Sequence, residues 1–339
     1  MEKKIINIDG LIFSLQNRGG ISSMFYQILK NLNSPELNLI LYNENLRKNF
    51  NNQNIKIKKK SKRIFEILRS VDLIDGEIFH STYYRGLRNK KNTILISTFY
   101  DFIHEYYRKD FKSKILVHFK KKIANQSDVI HCISENTKND LLNLYGNKFE
   151  HKCRVVYPFV SDEYFKLNLE TKNQILYVGG RQKYKNFNNV VIAISKIKNY
   201  KLKIVGGGIL SNNEKLFLNN YLGDRYEHVG FISNENLNIE YNQSKCLVYC
   251  SNYEGFGIPI IEAMKSGCPV IVKKGSSIDE VANNSGIILK TADPKEITEA
   301  IKSFDDSNLS NKFVKKGIEN SNRFTTSKLI KDYNMLYNL

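Results

Sequence analysis

Short apolar runs alternate with longer amphipathic segments along the first half of the chain. Within each run most residues are apolar, instead of apolar and polar residues taking turns. This pattern is typical of a strand buried on both faces of a parallel sheet. Such strands are predicted at residues 4–8, 37–42, 77–80, 93–97 and 127–133. Residues 21–32 have apolar positions at helical spacing, and Ser134 is placed to cap a helix that runs to residue 144.

The second half repeats this alternation after a polar stretch without clear period at residues 159–173. Its predicted strands lie at residues 174–178, 202–205, 228–231, 246–250 and 269–272. Two separate blocks of alternating strands and helices predict two doubly wound α/β domains with parallel sheets. Because ligands bind beyond the carboxyl ends of the strands in such domains, a cleft between two facing domains is the expected binding site.

The net charge of +18 is concentrated in the first half of the chain. Residues 1–160 carry 28 Lys and Arg against 15 Asp and Glu, whereas residues 161–339 carry 24 against 19. The densest basic run extends from Lys56 to Arg63 and is followed by apolar residues at helical spacing. Three interpretations are open: a solvated face, a patch attracted to anionic lipid headgroups, and a nucleic-acid surface. No helix-turn-helix, zinc or RNA-binding signature supports the third.

The cysteines and the apolar windows bear on the compartment in which the protein works. The five cysteines form no Cys-x-x-Cys pair, so buried reduced thiols are expected rather than disulfides or metal ligands. No window reaches the roughly 20 apolar residues that a membrane-spanning helix needs. The sequence therefore predicts a cytoplasmic protein, either soluble or attached peripherally to the inner face of the membrane.

Residues 251–269 contain two carboxylates, Glu254 and Glu262, on either side of a glycine-rich turn. Pro259 suits the first position of a helix and Gly267 suits its end. Glu254 is therefore predicted beyond the carboxyl end of the preceding strand, and Glu262 on the first turn of the following helix. This arrangement suits a hydroxyl-rich ligand.

The turn between the two carboxylates also favours a phosphorylated ligand. Gly257 lets the backbone come close to a ligand, and the free N–H groups at Gly257 and Ile258 face an anion at the start of the helix.

A second glycine cluster at residues 205–211 has Ser211 where a dinucleotide-binding loop needs its third glycine. The sequence therefore does not predict an NAD site.

These segments resemble the retaining glycosyltransferases of family 4, which have the GT-B fold. Glu-x7-Glu with Gly-Phe-Gly-x-Pro inside it matches the family signature, and residues 179–186 match its Gly-Arg…Lys-Asn segment. The resemblance implies that Glu254 contacts hydroxyls of the donor sugar and that Glu262 holds the ribose of the nucleotide. It also implies that Arg181 and Lys185 grip the diphosphate, where fixed cations would stabilise the charge that grows on the leaving group.

The first half of the chain adds two more sites to this resemblance. Gly19 and Gly20 precede the first helix and resemble the family's glycine loop, whose backbone N–H approaches the donor phosphate. Tyr100 and Asp101 follow an apolar strand at the place where the family usually has His-Asp. Both are predicted site residues, although a tyrosine carries no positive charge near neutral pH.

The resemblance also implies a domain organisation. Two Rossmann-like domains would face each other across a cleft, with residues 1–160 on the acceptor side and residues 161–323 holding the donor. Residues 324–339 would form a last helix that crosses back to the first domain.

The implied reaction moves a sugar, with retention of anomeric configuration, from a GDP- or UDP-linked donor to a glycan or lipid-linked acceptor. The expected setting is synthesis of a surface polysaccharide of O-antigen or capsule type. No metal is expected, because the chain has no Asp-x-Asp segment suited to a bridging cation. No further cofactor and no nucleic-acid partner are expected either. Two alternatives are a non-catalytic nucleotide-sugar-binding subunit, which Tyr100 favours, and a basic nucleic-acid-binding protein.

Overall fold

The computed structural model describes residues 5–15, 20–32, 37–43, 45, 47, 50, 54–57, 70–71, 77–90, 92–108 and 110–338. These residues form two compact units. Unit 1 contains the described residues up to Phe159 together with those from Thr326 onward, and unit 2 is Val160–Thr325.

Among the described residues, unit 1 contains a seven-stranded parallel sheet in the order β3-β2-β1-β4-β5-β6-β7. Its strands are β1 (Ile6–Asp9), β2 (Leu37–Leu41), β3 (Asn54–Ile57), β4 (Ile78–Ser81), β5 (Ile94–Phe99), β6 (Val129–Cys132) and β7 (Cys153–Val155). Every residue of β1, β2, β4 and β6 is buried, as expected for a sheet covered on both faces. The strand order reverses between β1 and β4, which makes this pair the topological switch point of unit 1.

The described helices of unit 1 are α1 (Leu11–Leu15), α2 (Gly20–Asn31), α3 (Ile103–Tyr107), α4 (Phe111–Gln126), α5 (Glu135–Tyr145) and the C-terminal α13 (Thr326–Tyr337). The predicted cap of α5 is confirmed, because the Ser134 hydroxyl accepts a hydrogen bond from the backbone N–H of Thr137 at 3.0 Å.

The C-terminal helix α13 is held in unit 1 by buried polar contacts. The hydroxyl of Tyr337 lies 2.7 Å from Nδ1 of His80, whose Nε2 lies 2.7 Å from Oγ1 of Thr98. The hydroxyl of Tyr333 lies 3.2 Å from Nδ1 of His131. Both histidines are fully buried, and desolvation lowers the pKa of each, to about 4 in His131. The neutral imidazoles are therefore part of the packing of unit 1.

Unit 2 contains a six-stranded parallel sheet in the order β10-β9-β8-β11-β12-β13. Its strands are β8 (Gln174–Val178), β9 (Lys201–Val205), β10 (Tyr226–Gly230), β11 (Cys246–Tyr249), β12 (Val270–Lys273) and β13 (Ile287–Leu289). Its helices are α6 (Phe187–Ser195), α7 (Asn212–Leu222), α8 (Asn234–Gln243), α9 (Ile258–Lys265), α10 (Ser277–Ala282), α11 (Pro294–Ser303) and α12 (Ser307–Ser321). The order reverses between β8 and β11, so the loops that follow these two strands meet at the switch point of unit 2.

The apolar pattern did not predict three of these strands, β3, β7 and β13. β7 has only three residues, of which one is buried. β3 is an edge strand whose side chains, including Lys56, are largely exposed, so it lacks a buried apolar run. β13 has only three residues and follows Gly286. A Cβ on Gly286 would lie 2.6 Å from the carbonyl oxygen of Val270, so a glycine is needed where β13 runs alongside β12.

Two other expectations concern the surface and the thiols. Lys56 is described, but residues 58–63 of the basic run lie outside the described residues. All five cysteines are buried and free, as predicted. None of the described helices is both long and apolar enough to cross a membrane.

Candidate functional site

The switch point of unit 2 brings Lys185 and Glu254 together. Lys185 Nζ donates a hydrogen bond to Glu254 Oε1 at 2.6 Å, and their side chains are 14% and 11% exposed. The phenol of Tyr249 also hydrogen-bonds to Glu254. The two residues, predicted as ligands for different parts of one molecule, thus form a largely buried ion pair between the loops after β8 and β11.

Backbone and side-chain hydrogen bonds fix these two loops to each other. Asn186 adopts a left-handed conformation with φ of 55°, which asparagine tolerates better than most residues. Its side-chain amide donates to the carbonyl of Cys250 and to Oδ1 of Asn252, both at 2.8 Å. The N–H of Asn252 donates in turn to the carbonyl of Tyr184 at 2.7 Å. Lys185 and Glu254 are therefore held by a preformed scaffold.

Arg181 lies in the same β8 loop, but its guanidinium is occupied within unit 2. Its Nε donates to Glu214 Oε1 at 2.6 Å, and its terminal nitrogens donate to the carbonyls of Gly206, Gly208 and Ile209 at 3.2–3.3 Å. The side chain is only 4% exposed. Arg181 therefore fixes the glycine loop after β9.

Glu214, the partner of Arg181, was not among the predicted site residues. Burial alone would raise the pKa of Glu214, but hydrogen bonds from Arg181 and Ser211 outweigh it and lower the pKa to about 2. Ser211 and Glu214 form a capping box at the start of α7, and the Ser-x-x-Glu spacing is the sequence signal for it. Gly207 has φ of 74°, and a Cβ on it would lie 2.4 Å from the Arg181 guanidinium, so the loop requires glycine there.

The start of α9 differs from the prediction by one residue. Gly257, with φ of 103°, is the N-cap, so Ile258 is the first helical residue and Pro259 the second. Pro259 still costs the helix no hydrogen bond, because backbone N–H groups in the first turn have no acceptor within the helix. Glu262 therefore lies on the second turn of α9, and its predicted place on the first turn is wrong.

Glu262 carries a carboxyl group enclosed by two phenols. The hydroxyl of Tyr241 donates to Glu262 Oε2 at 3.0 Å, and the hydroxyl of Tyr164 also hydrogen-bonds to it. Burial raises the pKa of Glu262 to about 7, although both hydrogen bonds act to lower it. The carboxyl group is therefore held between two phenols in a buried position that disfavours its charged form.

Two family profiles together match most of the chain: Glycosyltransferase Family 4 over residues 40–164 and Glycosyl transferases group 1 over residues 161–320. The chain belongs to glycosyltransferase family 4. This family 4 chain is 30% identical to the O-antigen chain mannosyltransferase RfbU of Salmonella typhimurium over 224 residues, which are 65% of this chain and 62% of RfbU. The matched region therefore spans less than two thirds of that relative.

Solved structures show the fold class of this member of family 4. It is similar to sucrose-phosphate synthase from Thermosynechococcus elongatus, with a TM-score of 0.79, 18% identity and 98% of each chain covered. It is also similar to Anabaena HepE, solved in complex with UDP and glucose, with a TM-score of 0.74, 12% identity and 99% of each chain covered. The predicted GT-B class, with two Rossmann-like parallel-sheet domains, is confirmed.

In unit 1, Tyr100 and Asp101 follow β5 as predicted. Tyr100 is buried, and its hydroxyl donates to the carbonyl of Thr82 at 2.7 Å, which links the ends of β4 and β5. Asp101 is half-buried, and its Oδ1 accepts from the N–H of Ile103 at 3.1 Å. Gly20 is the first residue of α2, whereas Gly19 lies outside the described residues.

Lys120 was not predicted, yet it supports the loop that carries Asp101. Its ammonium donates to the carbonyl of Asp101 at 2.6 Å and pairs with Glu105 at 2.9 Å, and its side chain is 1% exposed. It also lies 4.2 Å from the ring centroid of Phe102. Burial lowers the pKa of Lys120, with the nearby carboxylates acting against that shift. Because α4 contains several lysines, nothing in the sequence distinguishes Lys120 as the one with this role.

A second unpredicted charged pair lies at the switch point of unit 1. Asp9, the last residue of β1, lies 3.6 Å from the guanidinium of Arg85, and both side chains are almost completely buried.

In the part of the chain that the structure describes, no group of three or more His, Cys, Asp or Glu side chains is arranged to hold a metal ion.

Proposed function

We propose that this protein moves a hexosyl group from a GDP- or UDP-linked sugar to a glycan or lipid-linked acceptor, with retention of anomeric configuration, in surface polysaccharide synthesis. The observation that carries the proposal is the Lys185–Glu254 pair at the switch point of unit 2, with Nζ and Oε1 2.6 Å apart. A cation at the carboxyl ends of parallel strands suits a diphosphate, and a carboxylate beside it suits sugar hydroxyls. The similarity to RfbU makes mannose the first donor sugar to test.

The other predicted residues take roles around this pair. Glu262 would accept hydrogen bonds from the ribose, and the N–H groups at Gly257 and Ile258 would meet a phosphate at the start of α9. Arg181 would add positive charge beside the diphosphate while it holds the glycine loop.

The proposed reaction uses no metal ion and no cofactor other than the donor, because the lysine and arginine supply the positive charge that the leaving diphosphate needs. Turnover is therefore expected to be unchanged by EDTA. We also propose that the protein works at the cytoplasmic face of the membrane, where the basic run from Lys56 to Arg63 meets anionic lipid.

The test is nucleotide binding followed by turnover. GDP, UDP and their sugars are added to the full chain, and a ligand at about 100 times its Kd should stabilise the protein by about 2.7 kcal/mol. Lys185→Met should remove this effect. The matched control is Lys203→Met, since Lys203 is also a mostly buried lysine, 12% exposed, paired with Glu227 on β10. If no nucleotide raises the melting temperature, or if both variants behave alike, the site assignment is wrong.

A non-catalytic nucleotide-sugar-binding subunit is the second candidate function, and one observation favours it. Tyr100 stands where the family usually has histidine, and its hydroxyl is used on the carbonyl of Thr82. Such a subunit would bind the donor as tightly as an enzyme but would release no nucleoside diphosphate from it. Release of GDP or UDP that depends on an acceptor glycan, measured with the wild-type chain and with Lys185→Met, distinguishes the two.

A further inference from the structure

The loop that carries Glu254 lies beside the loop that follows β12, because β11 and β12 are neighbouring parallel strands. Residues 251–257 belong to no helix or strand, and Glu254 is only 8% exposed. Its backbone N–H and C=O groups therefore need partners from outside regular secondary structure. Both partners come from one turn, formed by Ser276 and Ser277, to which the proposed function assigns no role.

The two serine hydroxyls hold Glu254 at both of its backbone polar groups. The N–H of Glu254 donates to Oγ of Ser276 at 3.3 Å, and the hydroxyl of Ser277 donates to the carbonyl of Glu254 at 2.8 Å. The Ser277 hydroxyl also lies 3.1 Å from the carbonyl oxygen of Phe256, so its single hydrogen is shared between two carbonyls of the loop. Because Glu254 is held on both sides of its Cα, the direction in which its side chain leaves the loop is fixed.

The backbone of Ser276 has a conformation that favours glycine. Its φ is 64° and its ψ is −164°, in a region that essentially only glycine occupies and that other residues keep only where their surroundings hold them. The preceding Gly275 has φ of 108°, and its N–H donates to Asp279 Oδ1 at 3.2 Å. A glycine at position 276 would relieve the strain, but it would also remove the hydroxyl that accepts from Glu254. The conformational cost of the serine is therefore offset by what its hydroxyl does for Glu254.

We infer that Ser276 and Ser277 are positioning residues that fix the Glu254 carboxylate for the donor sugar. Lys185 holds the carboxylate end of this side chain at 2.6 Å, and the two hydroxyls hold its backbone end. Groups that bind or react with a substrate must be held to within about 0.5 Å, and hydrogen bonds from supporting residues provide that precision. The inference rests on the proposed function for the identity of the ligand, and it adds the residues that set the geometry of the sugar contact.

Two substitutions at position 276 separate positioning from stability. Ser276→Ala removes the hydroxyl and keeps the strain, whereas Ser276→Gly removes both, so Ser276→Gly should have the higher melting temperature of the two. Both variants should lose about fivefold in affinity for GDP-mannose relative to GDP, which corresponds to one net hydrogen bond. Titration calorimetry measures this ratio, with UDP-glucose and UDP in their place if the protein binds uridine nucleotides.

The matched control for position 276 is Asn284→Gly. Asn284 is exposed and also has a positive φ, of 57°, so glycine should relieve strain there without changing the affinity ratio. If the ratio of Ser276→Gly recovers to the wild-type value along with its melting temperature, the hydroxyl only stabilises the fold and the inference is wrong.

A second matched pair tests Ser277. Ser321 is likewise buried, at 2% exposed, and its hydroxyl likewise donates to a backbone carbonyl, that of Ile318 at 2.7 Å. Ser277→Ala and Ser321→Ala should therefore lower the melting temperature to a similar extent. Only Ser277→Ala should lower the affinity for the nucleotide sugar relative to the nucleotide. The same ratio in both variants would contradict a positioning role.

A double-mutant cycle tests whether the serines act through Glu254. Once Glu254→Ala has removed the carboxylate, adding Ser276→Ala or Ser277→Ala should change the affinity ratio by less than about twofold. A further loss of about fivefold in that background would show that the hydroxyls contact the ligand themselves. That result would replace the positioning role with a direct one and overturn the inference.

Amide hydrogen exchange of the peptide that spans residues 250–258 tests the hold on Glu254 without any ligand. Exchange should be faster in Ser276→Ala and Ser277→Ala than in wild type, and unchanged in Ser321→Ala. Unchanged exchange in the first two variants would overturn the inference. Faster exchange, in a protein whose wild type binds neither nucleotide nor nucleotide sugar, would instead sink the proposed function and leave the hold on Glu254 intact.

Discussion

Replacing Glu262 by glutamine is expected to stabilise the unliganded protein at alkaline pH and to abolish nucleotide binding. The reason is that burial raises the pKa of Glu262 from 4.5 to about 7. Between these values the folded protein keeps a proton that the unfolded chain releases, so the free energy of unfolding falls as the pH rises through this window.

The size of the effect follows from the same pKa difference. At about 1.4 kcal/mol for each pKa unit, the ionised carboxylate lowers the free energy of unfolding by about 3 kcal/mol above pH 7. Glutamine does not ionise, and its amide oxygen still accepts from the hydroxyls of Tyr241 and Tyr164, although burying its N–H₂ group costs about 1 kcal/mol. The net gain is about 2 kcal/mol at about pH 8.5, and it disappears near pH 5.

The assay is the melting temperature of the wild type and of Glu262→Gln at these two pH values. For a domain the size of unit 2, about 2 kcal/mol corresponds to roughly 4–8 °C. The matched control is Glu319→Gln, which removes one exposed carboxylate from α12 and should follow the wild-type pH profile. A melting-temperature difference between Glu262→Gln and wild type that is the same at both pH values would refute the reasoning. Loss of the nucleotide effect in the same variant tests the ribose role separately.

Three other substitutions give distinct expected outcomes. Tyr100→Phe should leave the buried carbonyl of Thr82 unpaired and lower the free energy of unfolding by about 1–3 kcal/mol, which a lower melting temperature would report, while nucleotide binding is kept. A lower turnover at an unchanged melting temperature would instead show a direct role in sugar binding. Glu214→Gln should weaken the hold of Arg181 on the glycine loop. Wild type should lose stability as Glu214 is protonated between pH 4.5 and about pH 2, and melting curves of the variant should not show this loss, because glutamine does not titrate. Lys120→Met should cost about 3–5 kcal/mol in denaturant unfolding, because it leaves Glu105 as an uncompensated buried charge; a loss below about 1 kcal/mol would contradict that.

The sheets could be predicted from the sequence wherever both faces of a strand are buried. Residues 174–178 were predicted as a strand and coincide with β8, because every position there is apolar or covered. β3 could not be predicted in this way, since an exposed edge strand needs no apolar run. The start of α9 was misplaced by one residue because Gly257, through its positive φ, acts as the N-cap, and sequence reasoning gave Pro259 the first position instead.

The candidate site was predictable as a set of residues but not as a set of contacts. Arg181 and Lys185 were given the same role because the resemblance to family 4 implies that both grip the diphosphate. The structure separates them: Arg181 is bound by Glu214 and by three loop carbonyls, whereas Lys185 is bound by Glu254. Both partners lie on loops or helices that are far away in sequence, so only the strand order of unit 2 brings them to these cations.

The Lys185–Glu254 pair has a consequence for ligand binding that neither residue has alone. Before the donor arrives, the ammonium of Lys185 is already compensated by Glu254 at 2.6 Å, so a diphosphate must share this cation with the carboxylate. Replacing the carboxylate with a neutral amide would free the ammonium for the phosphates. Glu254→Gln is therefore expected to bind GDP or UDP about tenfold more tightly, equivalent to about 1.4 kcal/mol, because a charge-assisted hydrogen bond no longer competes.

The same substitution should lower turnover of the nucleotide sugar, because the carboxylate proposed to hold the sugar is lost. Titration calorimetry with GDP and UDP, together with release of nucleoside diphosphate from the donor, measures both effects on one variant. Lys185→Met supplies the opposite control, since it should weaken diphosphate binding and turnover together. If Glu254→Gln weakens GDP and UDP binding as much as Lys185→Met does, then the ion pair acts as a unit and Glu254 orients the lysine instead of competing for it. The two outcomes differ in sign, so a single titration decides between them.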